Sequence, residues 1–146
     1  MIYDERMVAP MREELTRLGV KELRTADAVD SVLKDAKGTQ LVIVNSVCGC
    51  AARNLRPAVA AALEHSVKPD QAYTVFAGND ADATRQARTY FTGYAPSSPS
   101  IAMFKDGKLV HMVERWQIEG RSVEVIAADL TGAFEKHGSL TAAVSR

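Results

Sequence analysis

A continuous apolar run that ends in two cysteines and passes directly into a helix is the strongest constraint on the fold. Leu41-Val42-Ile43-Val44 reads as buried strand within residues 40–47, and residues 51–63 read as helix. A strand that is apolar at successive positions must be covered on both faces, as a parallel strand in an α/β sheet is. Between the two segments stands Cys48-Gly49-Cys50, and these are the only cysteines in 146 residues. The pair therefore falls at the C-terminal end of a strand and at a helix N-terminus. Free backbone N–H groups and the helix dipole favour a thiolate there over a thiol. Gly49 lets the backbone bend tightly enough for the two sulfurs to approach. The arrangement points to thiol–disulfide chemistry.

Two other uses of cysteine compete with that reading. Buried free cysteines often act as small hydrophobes, and C-x-C is a common fragment of metal sites. A structural zinc site takes about four ligands, and His65, His111 and His137 are spread without ligand spacing. They read as surface or helix-end histidines, so no metal is expected within one chain. The metal alternative is a metal or iron–sulfur carrier, in which a homodimer brings two C-x-C pairs together as four thiolates.

The chain is long enough for one domain with a full hydrophobic core, so residues 1–146 are expected to form a single unit. Eighteen basic residues balance eighteen acidic ones, which gives no reason to expect nucleic acid or an anionic membrane as a partner. Met1-Ile2-Tyr3-Asp4-Glu5-Arg6 lacks a basic segment followed by an apolar one, and no apolar run reaches membrane-spanning length. The expectation is a cytoplasmic protein. In a reducing compartment a cysteine pair is catalytic or redox-sensing more often than structural.

The elements alternate along the chain. Met7, Met11, Leu15 and Leu18 predict an amphipathic helix over residues 4–18, with Pro10 in its early turns and Gly19 as its stop. Residues 1–19 thus form an N-terminal helical extension. A short strand is expected at 20–24. Thr25 then caps a helix with Val29, Val32, Leu33 and Ala36 on one face, ended by Gly38. After the cysteines, Leu55, Ala58, Val59 and Ala62 form a stripe, and Pro57 predicts a kink. Strand 73–76 leads to a helix capped by Asn79 or Asp80 and running to Phe91. Pro96-Ser97-Ser98-Pro99 is a loop before strand 100–104. Asp106-Gly107 is a two-residue hairpin turn into strand 109–113. Val123, Ile126, Ala127, Leu130 and Phe134 mark a last helix over 121–136, stopped by Gly138, and residues 139–146 read as a loose tail. Right-handed crossovers would put the early helices on both faces of a parallel set, with the hairpin completing a mixed sheet.

That order, with the cysteines after the second strand, resembles the thioredoxin fold, here with an extra N-terminal helix. Ser98-Pro99-Ser100-Ile101-Ala102-Met103-Phe104-Lys105-Asp106-Gly107 looks like the thioredoxin stretch in which a cis-proline precedes a strand ending in Phe-Lys-x-Gly. Asn45-Ser46-Val47-Cys48-Gly49-Cys50-Ala51, followed by Arg56-Pro57 and later by Gln117-Ile118-Glu119-Gly120-Arg121, is similar to the bacilliredoxin family. The resemblance spans nearly the whole chain. It implies a thiol–disulfide oxidoreductase that removes bacillithiol from mixed disulfides with client proteins, a chemistry that extends to disulfide isomerisation, and that needs no cofactor beyond its own cysteines. S-thiolated clients and a low-molecular-weight thiol are the implied partners, and a homodimer is compatible with it.

Within that reading Cys48, first at the helix mouth, is the nucleophile and Cys50 the resolving thiol. Ser98 and Pro99 are the expected substrate-binding residues, with a cis bond between them. Arg53 is the candidate cation for lowering the Cys48 pKa. Arg56 reads either as a second such cation or as a solvated arginine, and Trp116 is expected to pack on the last helix. C-x-C closes a smaller disulfide ring than C-x-x-C, which predicts a more oxidising pair. The preceding strand carries no buried acid; Asn45 and Ser46 are its nearest polar groups, and neither is a base near neutral pH.

Overall fold

A computed structural model of the chain describes residues 2–138, so the expected tail at 139–146 lies outside the described residues. Among the described residues the order is α1 (Glu5–Thr16), β1 (Lys21–Glu22), α2 (Ala26–Leu33), β2 (Thr39–Asn45), a π-helical turn (Ala51–Leu55), α3 (Arg56–Ala62), β3 (Gln71–Phe76), α4 (Ala81–Arg88), β4 (Ser100–Lys105), β5 (Lys108–Val113), α5 (Arg115–Ile118) and α6 (Val123–His137). The strands form one sheet in the order β1-β3-β2-β4-β5. β1, β3 and β2 run parallel, while β4 is antiparallel to β2 and β5 antiparallel to β4. This is the mixed α/β sheet expected.

β2 lies at the centre, and all seven of its residues are buried. Leu41 and Ile43 face a core shared with Leu15 of α1, Val59 of α3 and Phe134 of α6. Val42 and Val44 face the other, with Val29 of α2, Ala87 of α4 and Phe104 of β4. Because both faces are apolar, in/out alternation alone does not pin the register of β2. Polar groups at its ends supply the missing specification. At one end Thr39 N–H donates to Asp70 Oδ2 and Asp70 N–H donates back to Thr39 Oγ1, both at 2.9 Å. At the other end Asn45 enters the network beneath the cysteines. At the hairpin, Asp106 and Gly107 both have positive φ, 50° and 82°, as a type I′ turn requires.

Several local expectations need correction. The inward stripe of α1 is Val8, Arg12 and Leu15, whereas Met7 is 46% exposed and Met11 and Leu18 are half-buried. The helix is rotated because its inner face is held by charge: Arg12 donates to both oxygens of Asp80, at 2.8 and 2.9 Å, and to Glu5 at 2.6 Å. Pro10 lies inside α1, which continues to Thr16. Pro57 does not kink an α-helix. It stands at the start of α3, where its missing N–H costs nothing, and the π-helical turn separates it from the cysteines. α2 and α4 end at Leu33 and Arg88, short of Ala36 and Phe91, although Phe91 still points inward. α5 was not expected at all. Its capping box uses Glu114 and Gln117 in place of the usual Ser or Thr, so it carries a weak sequence signal. No helix among the described residues is long and apolar enough to cross a membrane.

Candidate active site

Cys48 lies in the turn after β2, and Cys50 immediately precedes the π-helical turn. The wide turn begins the helix on the residues next to the pair, and the N–H groups of Ala51 and Ala52 donate to Cys48 O at 3.0 and 3.2 Å. Both cysteines are free; Cys48 is half-buried, and Cys50 is 7% exposed. Their sulfurs lie 2.6 Å apart, and Cys50 N–H points at Cys48 Sγ from 3.3 Å.

The two thiols are driven in opposite directions. Burial pushes the Cys48 thiol up, but the Cys50 thiol and backbone N–H groups of Cys50 and Ala51, with the Arg115 charge, outweigh it. The net result is a Cys48 pKa below the ordinary thiol value. Burial raises the Cys50 thiol, and the neighbouring Cys48 sulfur raises it further. The outer, half-buried sulfur is therefore the readier thiolate, and the inner one holds its proton more tightly. That asymmetry suits an attacking thiol and a resolving thiol.

A groove of ≈ 250 Å³ opens at Cys48, lined in part by Tyr3, Ser46, Gly78, Ser98 and Arg115. The Ser98-Pro99 bond is cis. Ser98 shares the groove with Cys48, while Pro99, expected beside it as a substrate-binding residue, is buried directly before β4 and does not line the groove. Arg115 ties this loop to α5: its Nη1 donates to Ser98 O at 3.0 Å, and its Nε and Nη2 both donate to Glu119 Oε2 at 3.1 Å.

Beneath the pair lies a buried polar network. Asn45 Oδ1 accepts from Ser46 N–H at 2.9 Å and from Arg56 Nη1 at 3.0 Å, and Arg56 Nη1 also reaches Ser46 O at 3.1 Å. Asn45 Nδ2 donates to Met11 O of α1 at 3.1 Å. Arg56 is therefore a buried structural cation, 3% exposed, and not a solvated arginine. Its Nε lies 3.1 Å from Glu14 Oε1, a charge contact without hydrogen-bond alignment. Cys48 N–H donates to Ser46 Oγ at 3.3 Å, which ties Cys48 to this network.

Of the residues singled out in the sequence, the structure brings Cys48, Cys50 and Ser98 together at one end of the sheet. Arg53 lies over Gly49, where a Cβ would sit 3.0 Å from its Nη2, but the cation acting on the thiols is Arg115. Trp116 does not pack on α6; it is 64% exposed, with Arg121 over its ring at 5.7 Å. Arg115 and Tyr3 are the residues that sequence reasoning missed. Both reach the groove from distant parts of the chain, so no local spacing marks them. Among the described residues no group of three or more His, Cys, Asp or Glu side chains gathers as a metal site would.

The fold and the cysteine pair define a class, the thioredoxin-fold thiol–disulfide oxidoreductases. A solved protein with a thioredoxin fold matches 75% of this chain and 91% of its own at a TM-score of 0.57 and 18% identity. The thioredoxin of Malassezia sympodialis covers 81% and 90% at 0.53 and 16%. The disulphide isomerase family matches residues 3–138. A bacilliredoxin of Koribacter versatilis is 54% identical over 141 residues, 97% of each chain. Another from Bacillus licheniformis is 52% identical over 136 residues, covering 92% of this chain and 94% of its own. The chain belongs to the bacilliredoxin family.

Proposed function

We propose that the protein removes bacillithiol, or a closely similar low-molecular-weight thiol, from cysteines of client proteins in the cytoplasm, using no cofactor beyond its own pair. The observation that carries this reading is the opposed tuning of two touching thiols at the mouth of a small groove. In the first step the Cys48 thiolate attacks the small thiol's sulfur in the mixed disulfide. A Cys48–S bond forms, the bond to the client sulfur breaks, and the client leaves as a thiolate that takes a proton from water. In the second step Cys50 loses its proton and attacks Cys48 Sγ. The small thiol leaves with the electron pair, and Cys48 and Cys50 end as a disulfide. Two electrons have passed from the dithiol to the substrate, and a further small thiol would restore the pair. Disulfide isomerisation uses the same first step, with the Cys48 adduct resolved by a client thiol instead of by Cys50.

A reporter protein bearing one bacillithiol mixed disulfide tests the proposal. Cys48→Ser should abolish release of the thiol. Cys50→Ser should release one equivalent of client and retain the small thiol on Cys48, visible as a mass increment. An adduct found on Cys50 instead would reverse the roles. A coloured, metal-bearing protein would favour the C-x-C carrier.

A further inference from the structure

We propose that Tyr3 is a specificity-determining residue. Its ring walls the Cys48 groove and, with Arg115, makes that groove a subsite for the small-thiol half of a mixed disulfide, selecting thiols that carry a carboxylate. This rests on the de-thiolation reading above and adds which residues would hold the small thiol and which chemistry they select. Tyr3 reaches the site because the segment ahead of α1 is clamped to the β3–α4 loop. Tyr3 N–H donates to Asn79 Oδ1 at 2.8 Å, and Asn79 Nδ2 donates to Tyr3 O at 3.0 Å. Asn79 also reaches Glu5 Oε2 at 3.2 Å, and Glu5 is held by the buried Arg12. The ring then beds on Gly78, whose φ is +96°; a Cβ there would lie 3.1 Å from Tyr3 Cε2. A larger residue at 78 would push the ring off the groove.

The lining decides what the groove takes. It contains an aromatic face, the Ser46 and Ser98 positions and one guanidinium, with no carboxylate among the described residues that line it. Arg115 commits three of its five N–H donors, to Ser98 O and Glu119, leaving two for a ligand carboxylate. A cavity of ≈ 250 Å³ holds a small thiol and not a folded client surface. Seating the small thiol here puts its sulfur, and not the client's, against Cys48. Attack then leaves the small thiol on Cys48 and expels the client thiolate.

The test uses one reporter protein carrying, on a single cysteine, either glutathione, which has carboxylates, or cysteamine, which has a cation and none. The wild-type protein should release glutathione with the higher kcat/KM. Tyr3→Ala should raise KM for both adducts about three- to tenfold, the range of an aromatic contact, with little change in kcat. Tyr3→Phe should restore most of the loss. Asn79→Ala, which frees the segment but keeps the ring, should raise KM in the same direction. Arg115→Gln should remove the preference between the two adducts. Cys48 alkylation against pH should be the same in Tyr3→Ala as in wild type, because the ring acts on substrate and not on the thiolate. An unchanged KM in Tyr3→Ala, or a preference that survives Arg115→Gln, overturns the subsite alone. A wild-type protein that releases neither thiol, nor bacillithiol from the same reporter, overturns the de-thiolation reading and the subsite with it; release of bacillithiol alone overturns the subsite as a general carboxylate selector.

Discussion

Replacing Cys50 by alanine removes the hydrogen bond that does most to lower the Cys48 pKa, while serine at the same position keeps a donor. A hydrogen bond to a charged acceptor is worth about 1.5–3 kcal/mol, and the low end applies here because the groove is open to water. About 1.4 kcal/mol is a tenfold change in thiolate population at fixed pH below the pKa. At about pH 7 the Cys50→Ala protein should therefore be alkylated at Cys48 by iodoacetamide about tenfold more slowly than Cys50→Ser. Only the thiolate reacts, so the gap should close at high pH, where Cys48 is ionised in both. Rates measured by mass spectrometry across the pH range would show both effects. Equal rates for the two variants at neutral pH would refute the assignment of Cys50 as donor. A gap that persists at high pH would mean that access, and not ionisation, differs.

Arg115→Gln should slow Cys48 alkylation by a few-fold at most near neutral pH, because its side chain is 44% exposed and water screens its charge; added salt should shrink the effect. Arg12→Ala strips the main partner from Asp80, whose side chain is 4% exposed, and should cost about 3 kcal/mol, since Arg24 and Phe76 N–H still serve the carboxylate. Urea unfolding reads that loss, which corresponds to roughly 10 °C in Tm for a chain of this size; a loss under about 1 kcal/mol would sink the buried-pair argument. The reduced protein's stability should rise with pH through the lowered Cys48 value up to the unfolded thiol value of about 8.5, then fall as pH climbs towards the raised Cys50 value. The sign follows because a depressed acid adds stability above its folded pKa, and a raised one loses it above its unfolded pKa. The oxidised protein, with no thiols to titrate, serves as the control and should show neither limb.

The sequence shows the sheet and the pair more clearly than the surroundings of the pair. Leu41 to Val44 has to be a covered strand whatever surrounds it, and Cys48-Gly49-Cys50 follows within four residues of its end. The cis bond before Pro99 follows from a motif eleven residues long or less, which is local information. The groove is not local. Tyr3 and Arg115 meet only because β2 lies between β3 and β4 in the sheet, which brings the loops after β2 and β3 and the segment before β4 to one end. The inner face of α1 misleads for another reason. A periodicity of apolar residues assigns the buried side by hydrophobicity, and here Arg12 takes that side because Asp80, 68 positions away, makes it the stable choice. Charge pairing across the fold leaves no periodic trace.

The network beneath the cysteines limits how protons move at the site. Asn45, Ser46 and Arg56 are the buried polar groups there: an amide, a hydroxyl and a guanidinium. None of them accepts a proton near neutral pH. They fix geometry: Met11 O of α1 holds Asn45, Asn45 holds Ser46 and Arg56, and Ser46 Oγ takes the Cys48 N–H. With no buried base there among the described residues, the proton of Cys50 in the proposed second step goes either to solvent before the attack or, as the attack proceeds, to the departing thiol. The leaving small thiolate departs from the sulfur that Cys50 already touches at 2.6 Å. Resolution is therefore coupled to the basicity of the thiol being expelled, and a more basic thiol, otherwise the poorer leaving group, is also the better acceptor of that proton. The N-terminal helix belongs to this arrangement as much as the sheet does, since it supplies the carbonyl that holds Asn45, and the segment just ahead of it brings Tyr3 to the groove.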